Sequence, residues 1–288
     1  MKKFLLFALM SLPLSLSAQN HHEIGLVAGV SGYKGDLAQN WFPHPKAVFP
    51  TGGIQYKYFT NPHVGFRFGL NVLQIGGADS LSEVKSDVAR NLSFSNRLVE
   101  LQAGIELNLL PVDIYKFKFT PYAFAGIAAV HSNPYAYDRE FKKVYLRDLS
   151  TEGQGLPNYP DRKPYSVFHA SFPIGIGIKG FVGNTVMVTA EVGLRYVTSD
   201  YLDDVSRSYV NLDTLLQYKG AKSVEMSYRG DELKEWDQNF PADKYRRGDY
   251  QNNDWYWSAT IGFAIYFEAF GNPIQWRGSK CPRIIGRD

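Results

Sequence analysis

The chain has 288 residues, of which 44% are hydrophobic and 15% aromatic, and its formal net charge is only +3. So small a charge gives no reason to expect a nucleic-acid partner. After the N-terminal residues, no segment approaches the roughly 20 apolar residues of a membrane-spanning helix, so insertion into a membrane would have to use β-strands.

The N-terminal residues predict a secretory signal peptide. Lys2 and Lys3 supply a positive charge, an apolar stretch runs from Phe4 to Leu16, and Ala18 is a small residue suited to cleavage. The stretch is too short and too interrupted by Ser and Pro to be a good membrane anchor. We therefore expect residues 1–18 to be removed on export.

Eight later segments alternate between apolar residues and polar or small residues with a period of two, which predicts β-strands. The clearest of them are about ten residues long, the length with which a tilted strand crosses a bilayer. No segment competes strongly as a long amphipathic helix. The predicted strands cover residues 24–33, 54–58, 64–72, 99–109, 121–130, 172–179, 186–196 and 257–267.

The connections between these strands alternate in length. The first, third, fifth and seventh are long, whereas the second contains only residues 60–63 and the sixth only Gly183 and Asn184. Outer-membrane barrels show this asymmetry, because their periplasmic turns are short and their external loops are long. A soluble sandwich or lipocalin-like barrel also has alternating strands, but nothing in it requires this order of connections.

The two faces of the predicted strands differ in character. One face is bulky, with tyrosine and tryptophan at strand ends as at a lipid interface. We therefore predict an all-β fold: an eight-stranded antiparallel transmembrane β-barrel over residues 19–267, in contact with outer-membrane lipid, with long outer loops and a C-terminal periplasmic tail over 268–288. The other face, which would line the lumen, carries small residues and the charged Arg67, Glu100, Glu106, Lys179, Glu191 and Arg195.

The charges of the inner face need partners, because an eight-stranded barrel has room only for its own side chains. We expect Arg67 and Arg195 to form ion pairs with Glu100, Glu106 and Glu191. Two interpretations follow. The strand number favours a rigid, plugged barrel held by ion pairs, and the alternative is a gated channel.

The sequence predicts no catalytic residue and no cofactor. It contains neither the HExxH nor the GxSxG pattern, and its one glycine-rich run lies in a predicted strand. His131 and His169 flank a long outer loop, and a lipid-modifying barrel enzyme could use such a histidine with a carboxylate and a serine. No spacing fixes that arrangement here.

Three aspartates in the last outer loop, Asp200, Asp203 and Asp204, could bind a hard cation such as calcium. Their spacing matches no known calcium loop. Aspartates that cap the backbone amides of a turn are the better explanation. We therefore predict no metal site.

The chain continues beyond its last predicted strand, and an even number of strands would place both termini in the periplasm. This tail contains the only cysteine, so no internal disulfide can form. In an oxidising compartment the cysteine could bond to a partner, or it could simply be unpaired. Tryptophan and arginine often dominate interfaces. The candidate partner-binding residues are Trp276, Arg277, Lys280, Cys281 and Arg283.

Three runs of the sequence are YKGDL at residues 33–37, PIGIG at 173–177 and SDYLDDVS at 199–206, and the last is the most specific. They resemble a family of outer-membrane barrels of Bacteroidota that includes PorG, a component of the type IX secretion apparatus. The resemblance covers most of the mature chain. It implies a protein that contacts a periplasmic ring built by proteins resembling the lipoprotein PorK and PorN.

The predicted function is therefore to anchor a periplasmic ring of type IX secretion from the outer membrane, without enzymatic activity. Two alternatives remain open. The barrel could be a small pore or an adhesin that acts through its outer loops, or a lipid-modifying enzyme.

Overall fold

A computed structural model of the protein describes residues 20–40, 44–111, 119–183, 185–235 and 241–268. The predicted signal peptide and nearly all of the predicted tail, including Cys281, lie outside these residues.

The described chain contains ten strands, of which eight form the wall of a barrel. Each wall strand pairs antiparallel with the next one along the wall, and the last pairs with the first, so the sheet closes on itself. The wall strands are β1 (His21–Lys34), β2 (Val48–Phe59), β3 (Val64–Ala78), β4 (Ser93–Asn108), β5 (Phe119–His131), β8 (Phe168–Val182), β9 (Val186–Val197) and β10 (Trp255–Glu268).

The remaining elements lie in the long connections at one end of the barrel. The third long connection contains a short hairpin, and the second and fourth hold three α-helices. These elements are β6 (Tyr135–Tyr137), β7 (Lys143–Tyr145), α1 (Lys85–Arg90), α2 (Leu212–Lys219) and α3 (Ala221–Ser227).

The predicted eight-stranded antiparallel barrel is confirmed. The long connections, residues 35–47, 79–92, 132–167 and 198–254, all leave one end of the wall, and the short ones leave the other end.

None of the helices in the described parts of the chain is long and apolar enough to cross a membrane.

The wall is apolar outside and charged inside, the reverse of a soluble barrel. Leu26, Leu101 and Ile127 are each more than 60% exposed, whereas Arg67 and Glu100 on the inner face are 2% and 0% exposed. An outer surface of this kind is stable only in contact with lipid. The protein is therefore located in the outer membrane, with its long loops outside the cell.

Several wall strands are longer than predicted, and they extend at the outer end. β3 runs to Ala78 and β4 begins at Ser93, beyond the predicted limits of 72 and 99. In these extensions the inward residues are apolar and no longer polar or small: Leu73 and Ile75 point inward and are fully buried. The interior thus has a charged level within the membrane and an apolar level at the outer mouth.

Ile261→Arg should destabilise the barrel by about 2–4 kcal/mol, because Ile261 lies midway along β10 and faces the lipid. Urea unfolding in lipid vesicles measures the change. The matched control is arginine at Val88, an exposed residue of α1 in an outer loop, which should leave the midpoint unchanged. Equal effects at the two positions would contradict the outward, lipid-facing assignment.

Candidate functional site: the charged lumen and the outer cap

In the periplasmic half of the lumen, the ammonium group of Lys179 is the central charge, and it is fully buried. Its Nζ donates to Glu23 Oε1 at 3.0 Å and to Glu106 Oε1 at 2.8 Å. On the other side of Glu106, Lys57 Nζ lies 2.7 Å from Oε2. Two strands far apart in the chain, β1 and β4, are therefore joined across the interior by a single lysine of β8.

Arg67 of β3 forms the central ion pair of the lumen. Its Nη1 and Nη2 each lie 3.0 Å from one carboxylate oxygen of Glu191 on β9, which is a two-point contact. Nη1 also lies 3.6 Å from Glu106 Oε2, and the guanidinium packs 3.8 Å above the ring of Phe124. This geometry joins opposite sides of the wall, because a planar guanidinium matches a carboxylate at two points.

Nearer the outer mouth, Arg195 pairs with Glu100. Arg195 Nε donates to Glu100 Oε2 at 3.2 Å, and the same carboxylate accepts from Asn71 Nδ2 at 2.8 Å and from the Tyr256 hydroxyl at 2.5 Å. Arg195 also donates to Ser258 Oγ at 2.6 Å. Both oxygens of Glu100 and the Nε and Nη1 atoms of Arg195 therefore have protein partners in place of water.

The lumen network is balanced in charge, with four basic and four acidic side chains that are all buried. A balanced network leaves no excess charge to attract ions into the interior. The basic members are Lys57, Arg67, Lys179 and Arg195, and the acidic members are Glu23, Glu100, Glu106 and Glu191.

All five residues that the sequence assigned to lumen ion pairs lie in this network: Arg67 contacts Glu191 and Glu106, and Arg195 contacts Glu100. The sequence interpretation did not include Glu23 or Lys57. Both lie at the periplasmic end of weakly alternating strands, but each occupies an inward position by the period of two. If the alternation of inward and outward positions is continued through the whole of β1 and β2, it identifies both residues as inward-facing.

An apolar layer lies above the charged level and belongs partly to the wall and partly to the outer loops. Leu73, Ile75 and Leu98 of the wall pack with Leu202 and Val205 of the last loop. All five are nearly or fully buried. The outer loops therefore continue the interior of the barrel, and together we call them the outer cap (residues 35–47, 79–92, 132–167 and 198–254, where described).

Ion pairs and backbone contacts hold the cap together from loop to loop. Arg90 forms a two-point contact with Asp79, at 2.6 and 2.8 Å, and donates to the carbonyls of Asp36 and Arg247. Glu152 accepts from Arg247 Nη1 at 3.0 Å and from the backbone amide of Ser206 at 3.0 Å. All four outer loops thus contribute to one connected unit.

Two of the runs that carried the family resemblance meet at the mouth of the barrel. The hydroxyl oxygen of Tyr33, at the outer end of β1, lies 2.7 Å from Asp203 Oδ2 and 2.6 Å from Asp254 Oδ1. Asp254 Oδ2 accepts from the amide of Leu202, and Asp203 Oδ1 from the amide of Val205, both at 2.9 Å. We call Tyr33, Asp203 and Asp254 the clasp.

Gly35 is required by this close approach. A Cβ at this position would collide with the Tyr33 hydroxyl and with the Asp254 carboxylate. The YKGDL run therefore supplies both the hydroxyl and the space that the clasp needs.

The three aspartates considered for a cation are not grouped as ligands of one ion. Asp203 belongs to the clasp, and Asp204 accepts from the hydroxyls of Thr151 at 2.5 Å and Tyr165 at 2.6 Å. Burial raises the pKa of Asp204 to about 6 although Arg247 opposes it, and burial raises the pKa of Asp200 to about 9. Among the described residues, no three His, Cys, Asp or Glu side chains are grouped so that they could hold a metal ion.

The two candidate histidines are not brought into one site. His169 is buried and projects into the barrel, whereas His131 projects outward, with its ring 5.1 Å from that of Phe168. His131 pairs with Phe168, and Val130 pairs with His169, so the two imidazoles lie on opposite faces of the wall.

The closed wall and the filled interior define an outer-membrane β-barrel of eight strands. The chain belongs to a family described as a domain of unknown function, DUF6089, whose model matches residues 2–226. No curated protein sequence matches it significantly.

Several solved structures are similar to the chain, and the three given next have identities of 11% or less. Neisserial surface protein A is 9% identical, with a TM-score of 0.41, over 86% of this chain and 97% of that one. The attachment invasion locus protein Ail of Yersinia pestis, in complex with the heparin analogue sucrose octasulfate, is 10% identical, with a TM-score of 0.39, over 86% and 99%. A major outer membrane protein from Thermus thermophilus is 11% identical, with a TM-score of 0.40, over 85% and 99%.

Arg67→Ala should lower the free energy of unfolding by about 3–5 kcal/mol, because it leaves the carboxylates of Glu191 and Glu106 buried beside one another with a cation removed. Urea unfolding in lipid vesicles tests this. Arg246→Ala is the control: Arg246 pairs with Asp249 at 3.3 Å on the surface, and its loss should cost less than about 1 kcal/mol. An unchanged midpoint for Arg67→Ala would show that the lumen charges do not depend on one another.

Proposed function

We propose that this protein is a non-conducting outer-membrane barrel that anchors a periplasmic assembly of type IX secretion. The observation that carries the proposal is the filled lumen. A conducting barrel needs a continuous column of water, whereas here buried ion pairs fill the membrane level and apolar side chains fill the mouth. A barrel of this kind serves as a rigid fixed point in the membrane.

The identity of the partner rests on the resemblance of the sequence to PorG-like barrels, which supports a ring of proteins resembling PorK and PorN. The proposed contacts, Trp276, Arg277, Lys280, Cys281 and Arg283, lie outside the described residues. The strand that precedes them, β10, ends at Glu268 opposite His21, at the end of the wall with the short connections. This position is on the periplasmic side, where such a ring would lie.

The proposed role includes no catalysis. Its support is the surroundings of the polar groups: the lumen carboxylates are each paired with lysine or arginine, and His131 and His169 face opposite sides of the wall. A nucleophile, a base and an orienting acid on one accessible surface would be needed for a lipid-modifying enzyme.

The purified protein should show no discrete conductance steps in planar lipid bilayers, because neither level of the interior leaves a path for ions. An open porin inserted under the same conditions is the control for the membrane and the electrodes. Regular steps with a reproducible ion selectivity would contradict the proposal and favour the small pore.

Deletion of the chain from Gly271 onward should leave the barrel assembled but release the periplasmic partner, because the tail carries the proposed tryptophan, arginine and cysteine contacts. Purification of tagged protein from native membranes measures partner retention, and heat-modifiable gel mobility measures barrel assembly. Cys281→Ser within an intact tail separates a disulfide from the other contacts.

Retention of the ring by the truncated barrel would refute docking through the tail. The adhesin would then become the better candidate, and one observation already favours it as the second choice. The cap presents large aromatic side chains to the exterior, with Phe141 at 87% and Tyr250 at 66% exposure. Loss of surface binding on replacement of these residues, with secretion intact, would identify that role.

A further inference from the structure

The clasp contains more oxygen contacts than the tyrosine proton can serve. Tyr33 Oη lies within 2.7 Å of an oxygen on each of two carboxyl groups, Asp203 and Asp254. A phenol carries one proton and can donate to only one of them. The other oxygen pair needs a proton of its own, since two oxygens without a hydrogen between them repel one another at this distance.

The position of the second proton follows from the remaining contacts. Asp203 Oδ1 and Asp254 Oδ2 each accept from a backbone amide, of Val205 and Leu202 respectively. The proton therefore lies on the oxygen that faces the tyrosine, either Asp203 Oδ2 or Asp254 Oδ1. That carboxyl donates to Tyr33 Oη, and Tyr33 donates to the other carboxylate, so the two carboxyl groups share a single negative charge.

The surroundings of the clasp supply acids on several sides. Asp36 of the first outer loop raises the pKa of both Asp203 and Asp254. Asp200 of the last loop also raises the pKa of Asp254. Both carboxyls are also fully buried, which disfavours a second negative charge.

Two arginines and a glutamate of the cap lie near these acids but are engaged in their own ion pairs. Arg90 is paired with Asp79, and Arg247 is paired with Glu152. Burial and the neighbouring acids therefore raise the pKa values of Asp203 and Asp254 well above the usual range.

We propose that a retained proton latches the outer cap, so that the clasp of Tyr33, Asp203 and Asp254 holds the cap closed at neutral and acidic pH and releases it in alkaline medium. Loss of the proton leaves two carboxylates facing one phenol, and one of these carboxylates, Asp203, belongs to the SDYLDDVS run. Leu202 and Val205, which donate to those carboxylates, are buried in the apolar layer at the mouth. Their segment is the part of the cap that the repulsion displaces.

The direction of the pH dependence follows from linkage. The carboxyls have folded-state pKa values above the unfolded value of about 3.9, so the stabilisation is complete below that value and is lost as the pH rises through the folded values. The neighbouring Asp200, with a pKa of about 9, adds negative charge in the same alkaline range. The transition is therefore expected on the alkaline side of neutrality.

Hydrogen exchange at the amides of Leu202 and Val205 tests the latch in the full-length protein in detergent, from about pH 6 to about pH 10. After correction for the intrinsic exchange rate, protection of these amides should fall as the pH rises towards the folded-state pKa, by at most about tenfold per pH unit for one shared proton, and should level off above that pKa. Amides of the β3–β4 wall pairing serve as the internal reference and should keep their protection.

Asp203→Asn is the decisive variant, because its amide Nδ2 supplies a hydrogen towards Tyr33 that no base removes in this range. Protection at Leu202 should then lose the part of its pH dependence that comes from the shared proton, so that it falls much less steeply with pH than in the original protein. Asp161→Asn is the matched control, since Asp161 is an exposed carboxylate paired with Arg207, and it should follow the original profile. If Asp203→Asn does not fold, Asp254→Asn makes the same comparison.

The proposal is overturned if Asp203→Asn and the original protein share one pH profile. It is also overturned if calcium at constant alkaline pH restores protection in the original protein but not in Asp203→Asn. That result would identify the clasp as a cation site and not a proton latch.

Discussion

An eight-stranded barrel in a membrane has to fill its own interior, and the rest of this structure depends on how it does so. Lipid lies outside the wall and little water fits inside, so each inward charged side chain needs a protein partner of opposite charge. This chain uses four basic and four acidic residues at the membrane level. A buried ion pair adds little over a well-packed apolar pair, but an unpartnered charge in the same place is very costly. The network therefore acts chiefly by making other arrangements unfavourable.

That penalty helps to define the register of the wall. A shift of one strand by one residue moves its inward set to the lipid face. For β3 the shift would place Arg67 in the hydrocarbon of the membrane and would leave Glu191 in the lumen without its two-point contact. The charges thus specify the pairing of strands even though they supply little net stability. The same constraint keeps the barrel closed to ions, because each charge that could attract an ion already has a partner.

The sequence predicted the wall better than it predicted the ends of its strands, and the reason is physical. Lipid imposes a uniform apolar outer face over the membrane, so the period of two is clear there. From Leu73 onward in β3 the inward residues are apolar, and the outward Gln74 between them is polar and only half-buried. A search for apolar residues on the outer face alone therefore ends the strand too early. The short helices α2 and α3 were missed because helices of this length depend on tertiary contacts, such as the packing of Leu215 and Met226.

The lumen was predicted as a set of charges but not as specific pairs. The period of two identifies which residues face inward, and the need for partners groups arginines with glutamates. The choice of Glu191 for Arg67 depends on how β3 and β9 lie across the barrel, which no local pattern encodes. The clasp could not be predicted from the sequence for the same reason, since its residues are separated by up to 221 positions in the chain.

The position of the clasp changes what the family resemblance means. The runs at 33–37 and 199–206 meet at the outer mouth, where Tyr33, Gly35, Leu202 and Asp203 close the interior against the exterior. Their chemistry is that of sealing a barrel with its own loops. A periplasmic partner of the proposed kind would lie on the far side of the charged level and would touch neither run. In the proposed anchoring role, recognition of the partner therefore falls to the periplasmic end of the wall, while the two runs keep the outer end shut.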